Sequence, residues 1–107
     1  MKKRIFISVG MTGREAKDVE NDLNGVELDM LVERIKSGGS LTDLEFVNNF
    51  YCEKPEGSER LYCLGEAIKK LSDCDACYFV KGWQNYRGCI IERYVCKLYN
   101  IEIIDEP

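Results

Sequence analysis

The sequence predicts one α/β domain, a three-layer sandwich with a four-stranded parallel sheet in the order 2-1-3-4. Three observations predict it. Apolar, β-branched runs alternate strictly with amphipathic stretches, in the order β-α-β-α-β-α-β, which calls for a parallel sheet with helices on its faces. The strand runs are nearly continuously apolar, as parallel strands buried on both faces are. The 107 residues suffice for one domain and fall short of two.

The elements follow in order. "RIFISVG" (4–10) is apolar and β-branched and reads as strand 1. "MTGRE" is a loop, and from about Ala16 a long amphipathic helix runs to the glycines of "SGGS". Val19, Leu23, Val26 and Met30 recur on it at three- and four-residue spacing, and its outer face is a solvated acidic one. "LEFVNNF" (44–50) reads as strand 2, and "YCEKPEGS" as a loop. "ERLYCLGEAIKKLSDC" (59–74) reads as the second helix, with Ser58 as N-cap and Leu61, Leu64, Ile68 and Leu71 as its apolar stripe. "DACYFVKG" (75–82) is strand 3 and "WQNYRG" a loop. "CIIERYVCKLYN" (89–100) is the third helix and "IEIID" (101–105) the last strand. Crossovers between the strands are expected to be right-handed.

Composition narrows the function classes. A net charge of −4 argues against nucleic-acid or anionic-membrane surfaces, which want clustered Lys and Arg. The basic start, Met1 to Arg4, is too short for a binding arm. No apolar run approaches the ~20 residues of a membrane span. "RIFISVG" has the length of a strand rather than a signal peptide, so the chain is expected to be cytoplasmic. The six cysteines then read as reduced thiols packed in the core. "CDAC" has CxxC spacing, but there is no second CxxC and no histidine, so no metal or other cofactor is expected.

An order of 2-1-3-4 places a topological switch between strands 1 and 3. Ligands of such sheets bind beyond the carboxyl ends of the strands at that point. Two glycine-flanked loops fall there: "GMTG" (10–13) after strand 1 and "GWQNYRG" (82–88) after strand 3. In the first, Ser8, Thr12 and backbone N–H groups make either an anion cradle or a tight strand-to-helix turn. It is neither a P-loop nor a GxGxxG. In the second, Trp83 and Tyr86 read either as rings that stack on a planar ligand or as loop packing.

Glu92 is the acid out of place. On a helical wheel Arg93, Lys97 and Asn100 cluster on one side, while Gly88, Ile91, Val95, Leu98 and Tyr99 form the opposite apolar arc. Glu92 falls inside that arc, beside Gly88, Cys89, Val95, Cys96 and Tyr99. A carboxylate on a buried side is costly unless paired or facing a cleft. Two readings follow: a structural capping or ion-paired acid, or a functional one with Gly88 leaving room above it. Asp75, at the amino edge of the sheet, reads as structural, and Asp73 as helix-end surface.

These segments carry a family resemblance. "RIFISVGMTG", "FVNNF" and "LSDCDACYFVKGWQNYRGCIIERYVCKLYNIEII" resemble the signatures of the nucleoside 2-deoxyribosyltransferase-like family, over about residues 4–104. They are nearest to a small, poorly characterised branch common in phages and their bacterial hosts. The resemblance implies a flavodoxin-like (Rossmann-like) fold. It implies that Glu92, in the Gly-x-x-x-Glu position with Gly88, is a nucleophile toward C1′ of a (deoxy)ribose. It places the sugar or its phosphate at Ser8, Gly10, Met11, Thr12 and Gly13. The implied activity is N-glycosidic bond cleavage or (deoxy)ribosyl transfer, without a cofactor, in a homodimer or larger assembly. The chain departs from active members at two positions: Ala67 stands for an aspartate acid, and Tyr86 for a small polar ligand contact. The alternatives are a non-catalytic nucleotide or small-molecule binding module, and a vestigial pocket in an interaction protein.

Overall fold

The strand at the centre of the sheet decides what faces where. Residues 2–107 are described in a computed structural model, in which β1 (Lys3–Ser8) lies between β2 (Leu44–Val47) and β3 (Ala76–Phe79). β4 (Glu102–Asp105) pairs with β3, all pairings are parallel, and the order is β2-β1-β3-β4. Side chains alternate across a strand. Ile5, Ile7 and Val9 therefore join the core under helix α1 (Ala16–Lys36), with Val19, Leu23 and Val26. Phe6 joins the opposite core under α2 (Tyr62–Ser72) and α3 (Arg87–Leu98), with Ala67, Leu71, Cys77 and Phe79. The result is the flavodoxin-like three-layer sandwich that the alternation predicts.

The strands are shorter than the apolar runs. β2 ends at Val47 rather than at 50, because the Asn48 side chain turns back to accept a hydrogen bond from the Phe50 N–H at 2.9 Å. β3 ends at Phe79, and Gly82 adopts φ +89°, a left-handed turn that leads into a 3₁₀ turn over Trp83–Asn85. The second helix starts at Tyr62, so Ser58 is not its N-cap. The Ser58 N–H instead closes a turn to the Pro55 carbonyl at 3.0 Å, and the Tyr62 N–H closes another to Glu59. Leu61 is consequently exposed, and the buried stripe of α2 is carried by Ala67 and Leu71. Asp75 has the structural role expected of it. Its carboxylate accepts from the Arg4 N–H at 2.8 Å while its own N–H donates to the Arg4 carbonyl at 2.8 Å.

The apolar arc assigned to α3 is turned relative to the observed one. The face toward the sheet is Cys89, Glu92 and Cys96. Ile91 is partly exposed, and Leu98 and Tyr99 are 72% and 75% exposed. Apolar side chains on the outer side of this helix pull a wheel reading away from the true buried face. Arg93 is also not simply solvated. Its guanidinium grips Asp105 through two bonds of 2.7 and 3.1 Å and lies 4.3 Å from the centre of the Trp83 ring and 5.0 Å from that of Phe79. It fastens α3 to the end of β4.

Asp105 is half exposed, so the ion pair itself contributes little. The stacked, mostly covered guanidinium contributes more. Arg93→Ala is therefore expected to cost about 1–2 kcal/mol in urea unfolding. Asp105→Asn should cost less than about 1 kcal/mol, and the reverse ranking would overturn this account.

Candidate functional site

The alternation that sends Phe6 into the α2–α3 layer sends Ser8 there as well. Ser8 is the last residue of β1, opposite Phe79 of β3, and is 1% exposed. Glu92, six residues into α3, approaches the same point from above and is 7% exposed. The Ser8 hydroxyl donates to Glu92 Oε1 at 2.6 Å, and the bond is buried. The hydroxyl also lies beside the Cys89 thiol, one turn earlier on α3. β1 ends and α3 begins at the carboxyl edge of the sheet, where the topology switches between strands 1 and 3.

Among the described residues, no cation pairs with Glu92. Burial pushes its carboxyl up to about 7, and the Ser8 hydrogen bond pulls the other way. Burial likewise pushes the Cys89 thiol up to about 11. A carboxyl titrating near neutrality, hydrogen-bonded and free of a countercharge, is suited to act as a nucleophile, a base or an acid. It is not the ion-paired structural acid that the sequence left open.

The other expected site residues divide. Gly10 lies two residues beyond Ser8, past the end of β1; a Cβ there would collide with the Tyr86 ring, which lies against it. Tyr86 and Gly10 thus border the Ser8–Glu92 pair. Gly88 sits in the first turn of α3 with open space where a side chain would project. Met11 turns to the other face and packs on the α1 core. Thr12 and Gly13 are exposed, Gly13 at φ +76°. Trp83 is not brought to Glu92. It packs edge-on against Phe79 and lines a cavity of about 230 Å³ with Lys81, Arg93, Asp105 and Glu106.

One residue near the site escaped the sequence reading. Arg14 donates to the Gly10 carbonyl at 2.9 Å and to Asp22 at 2.7 Å, tying the loop after β1 to α1. An Arg–Asp pair eight residues apart across a loop and a helix start has no local sequence signature. Among the described residues, no group of three or more His, Cys, Asp or Glu side chains could hold a metal ion. No family model, curated protein or solved structure matches the chain.

The raised Glu92 carboxyl makes stability depend on pH. Its folded value of about 7 lies above the roughly 4.3 of an unfolded glutamate. Between the two, the folded state binds more protons, so stability is full below about 4.3 and falls as pH rises to about 7. The loss amounts to roughly 3–4 kcal/mol. Glu92→Gln imitates the protonated form and removes this dependence. Urea unfolding should find the variant close to wild type at pH 4 and more stable at pH 8. A stability difference that does not change with pH would refute the assignment.

Proposed function

We propose that the chain cleaves or transfers at the N-glycosidic bond of a (deoxy)nucleoside or its monophosphate, with Glu92 as nucleophile. The observation that carries this reading is the buried Glu92 carboxyl. It is held by Ser8 at 2.6 Å at the switch point of the sheet, with a carboxyl value near 7. The resemblance to the nucleoside 2-deoxyribosyltransferase-like family supports it through the Gly88–Glu92 spacing. In the proposed reaction the Glu92 carboxylate attacks C1′, and the C1′–N bond breaks. Its electron pair leaves with the base, which takes a proton from water. The covalent glycosyl ester is then opened by a second base or by water, as in retaining glycoside chemistry. Ser8 holds one carboxylate oxygen and leaves the other for attack. The space beside Gly88 and the loop from Gly10 to Gly13 receive the sugar.

Two observations favour a second reading, a binding module without turnover. Ala67, where active members of that family carry an acid, is 2% exposed and packed in the core. No carboxyl can act from there. The Tyr86 ring covers Gly10, within the region that the sugar would occupy. Either reading suits a homo-oligomer: Ile91, Tyr94 and Leu98 form an exposed apolar stripe along the outer side of α3.

A panel of (deoxy)nucleosides and monophosphates, followed by chromatography for free base, separates the readings. The enzyme reading expects base release that rises with pH through about 7, as Glu92 ionises. Glu92→Gln should lose at least about 10³-fold of that release while remaining folded. Ligand-dependent rises in melting temperature with no base release would favour the binder and sink the catalytic reading.

A further inference from the structure

The two half-buried cysteines lie together at the loop that follows β2. Cys52 and Cys63 are separated by the ten residues "EKPEGSERLY", which form turns and no strand or helix before Tyr62. One residue holds both of them. The Asn49 carbonyl accepts from the Cys52 N–H at 3.1 Å, and the Asn49 side chain donates to the Cys63 carbonyl at 2.7 Å. Lys70 in turn fixes the Asn49 side chain through a 2.8 Å bond to its Oδ1. With their backbones clamped to a common partner, the two side chains lie side by side, and the neighbouring Cys63 thiol pushes that of Cys52 up to about 11. All six cysteines of the chain are free thiols here.

The remaining cysteines are enclosed. Cys77 and Cys96 also touch across the interface of β3 and α3, but both are sealed in the core, and Cys74 and Cys89 are buried. Oxidants reach thiols that solvent reaches. Of the two touching pairs, Cys52 and Cys63 alone combine contact with access.

We propose that Cys52 and Cys63 are an oxidation site, forming a reversible disulfide that closes the β2–α2 loop. Hydrogen peroxide is a sufficient oxidant. The Cys63 thiolate attacks the peroxide, takes an OH and becomes a sulfenic acid, and the hydroxide released takes a proton to become water. The second thiol then attacks the sulfenic sulfur, expelling a second water and forming the S–S bond. Two thiols lose two electrons in all, and one peroxide is reduced to two waters. The bond closes a short loop at the carboxyl edge of the sheet, beside the strand that carries Ser8. It restricts the unfolded chain, and so stabilises the fold.

The test uses the full chain, reduced with dithiothreitol and then treated with a stoichiometric amount of hydrogen peroxide. The intact mass should fall by that of two hydrogens, and digestion should yield one linked peptide joining Cys52 to Cys63. Four thiols should remain open to alkylation after denaturation. The melting temperature should rise by several degrees, and dithiothreitol should reverse both changes. Cys52→Ser and Cys63→Ser, each replacing a half-buried loop thiol, should fold and show neither change. The proposal is overturned if all six thiols remain free. It is equally overturned if the linked peptide joins another pair or two chains, or if the cysteines pass to sulfinic acid without a bond. None of these outcomes depends on whether the Glu92 site turns over.

Discussion

Everything in this fold depends on β1 having no exposed face. A central parallel strand must satisfy two cores at once, and the pleat assigns alternate residues to each. Ile5, Ile7 and Val9 go to the α1 side, while Phe6 and Ser8 go to the α2–α3 side. Of these five, only Ser8 is polar, and it is nearly as buried as its neighbours. A buried hydroxyl needs a partner. The partner is Glu92, and this single bond joins the last residue of the central strand to the middle of the third helix. A shift of one residue in β1 would exchange the faces, placing Ser8 under α1 and leaving Glu92 with no donor.

That bond also explains why an acid can sit on the inner face of α3. An unpaired carboxylate there would be strongly disfavoured, and among the described residues no lysine or arginine pairs with it. The protein lowers the cost in two ways: one hydrogen bond to the charged form, and a proton taken up near neutrality. Arg93, the neighbouring residue, could have supplied a countercharge. Its guanidinium is instead held toward β4 by Asp105, Trp83 and Phe79. The arrangement keeps Glu92 poised between its two charge states rather than fixed in one.

The sequence made most of the fold legible because its cues are local. Continuous apolar runs locate the parallel strands, and the 3.6-residue period locates α1 with Val19, Leu23 and Val26 buried as read. The order 2-1-3-4 followed from alternation and was found. What the sequence hid is set by tertiary contact. Strand ends depend on pairing partners, so β2 stops where the Asn48 side chain turns back. Ser58 looked like a cap because serine before an apolar stripe usually is one, yet a Pro55 turn engages its backbone first. The buried side of α3 was misjudged through Leu98 and Tyr99, whose apolar character faces outward. Glu92 was nonetheless singled out correctly as buried, because Cys89 and Cys96 lie one turn to either side of it. Trp83 could be read either as a stacking ring or as loop packing, and it packs on Phe79 beside the end of β4.

The meeting of Tyr86 and Gly10 sets the terms on which anything can reach Glu92. Gly10 has no side chain, and the Tyr86 ring occupies the place where one would be. The ring belongs to the N-cap residue of α3, the helix that carries Glu92. A ligand approaching from the carboxyl edge therefore meets the ring near Gly10 and open space near Gly88. Entry on the Gly88 side leaves the ring in place. Entry on the Gly10 side requires it to move, and the residue that carries it is the N-cap of α3, a helix end whose side chain makes no capping bond. A ring held by packing alone moves at lower cost than one that must also break a cap. The same side chain that narrows this site is thus held there without a capping bond.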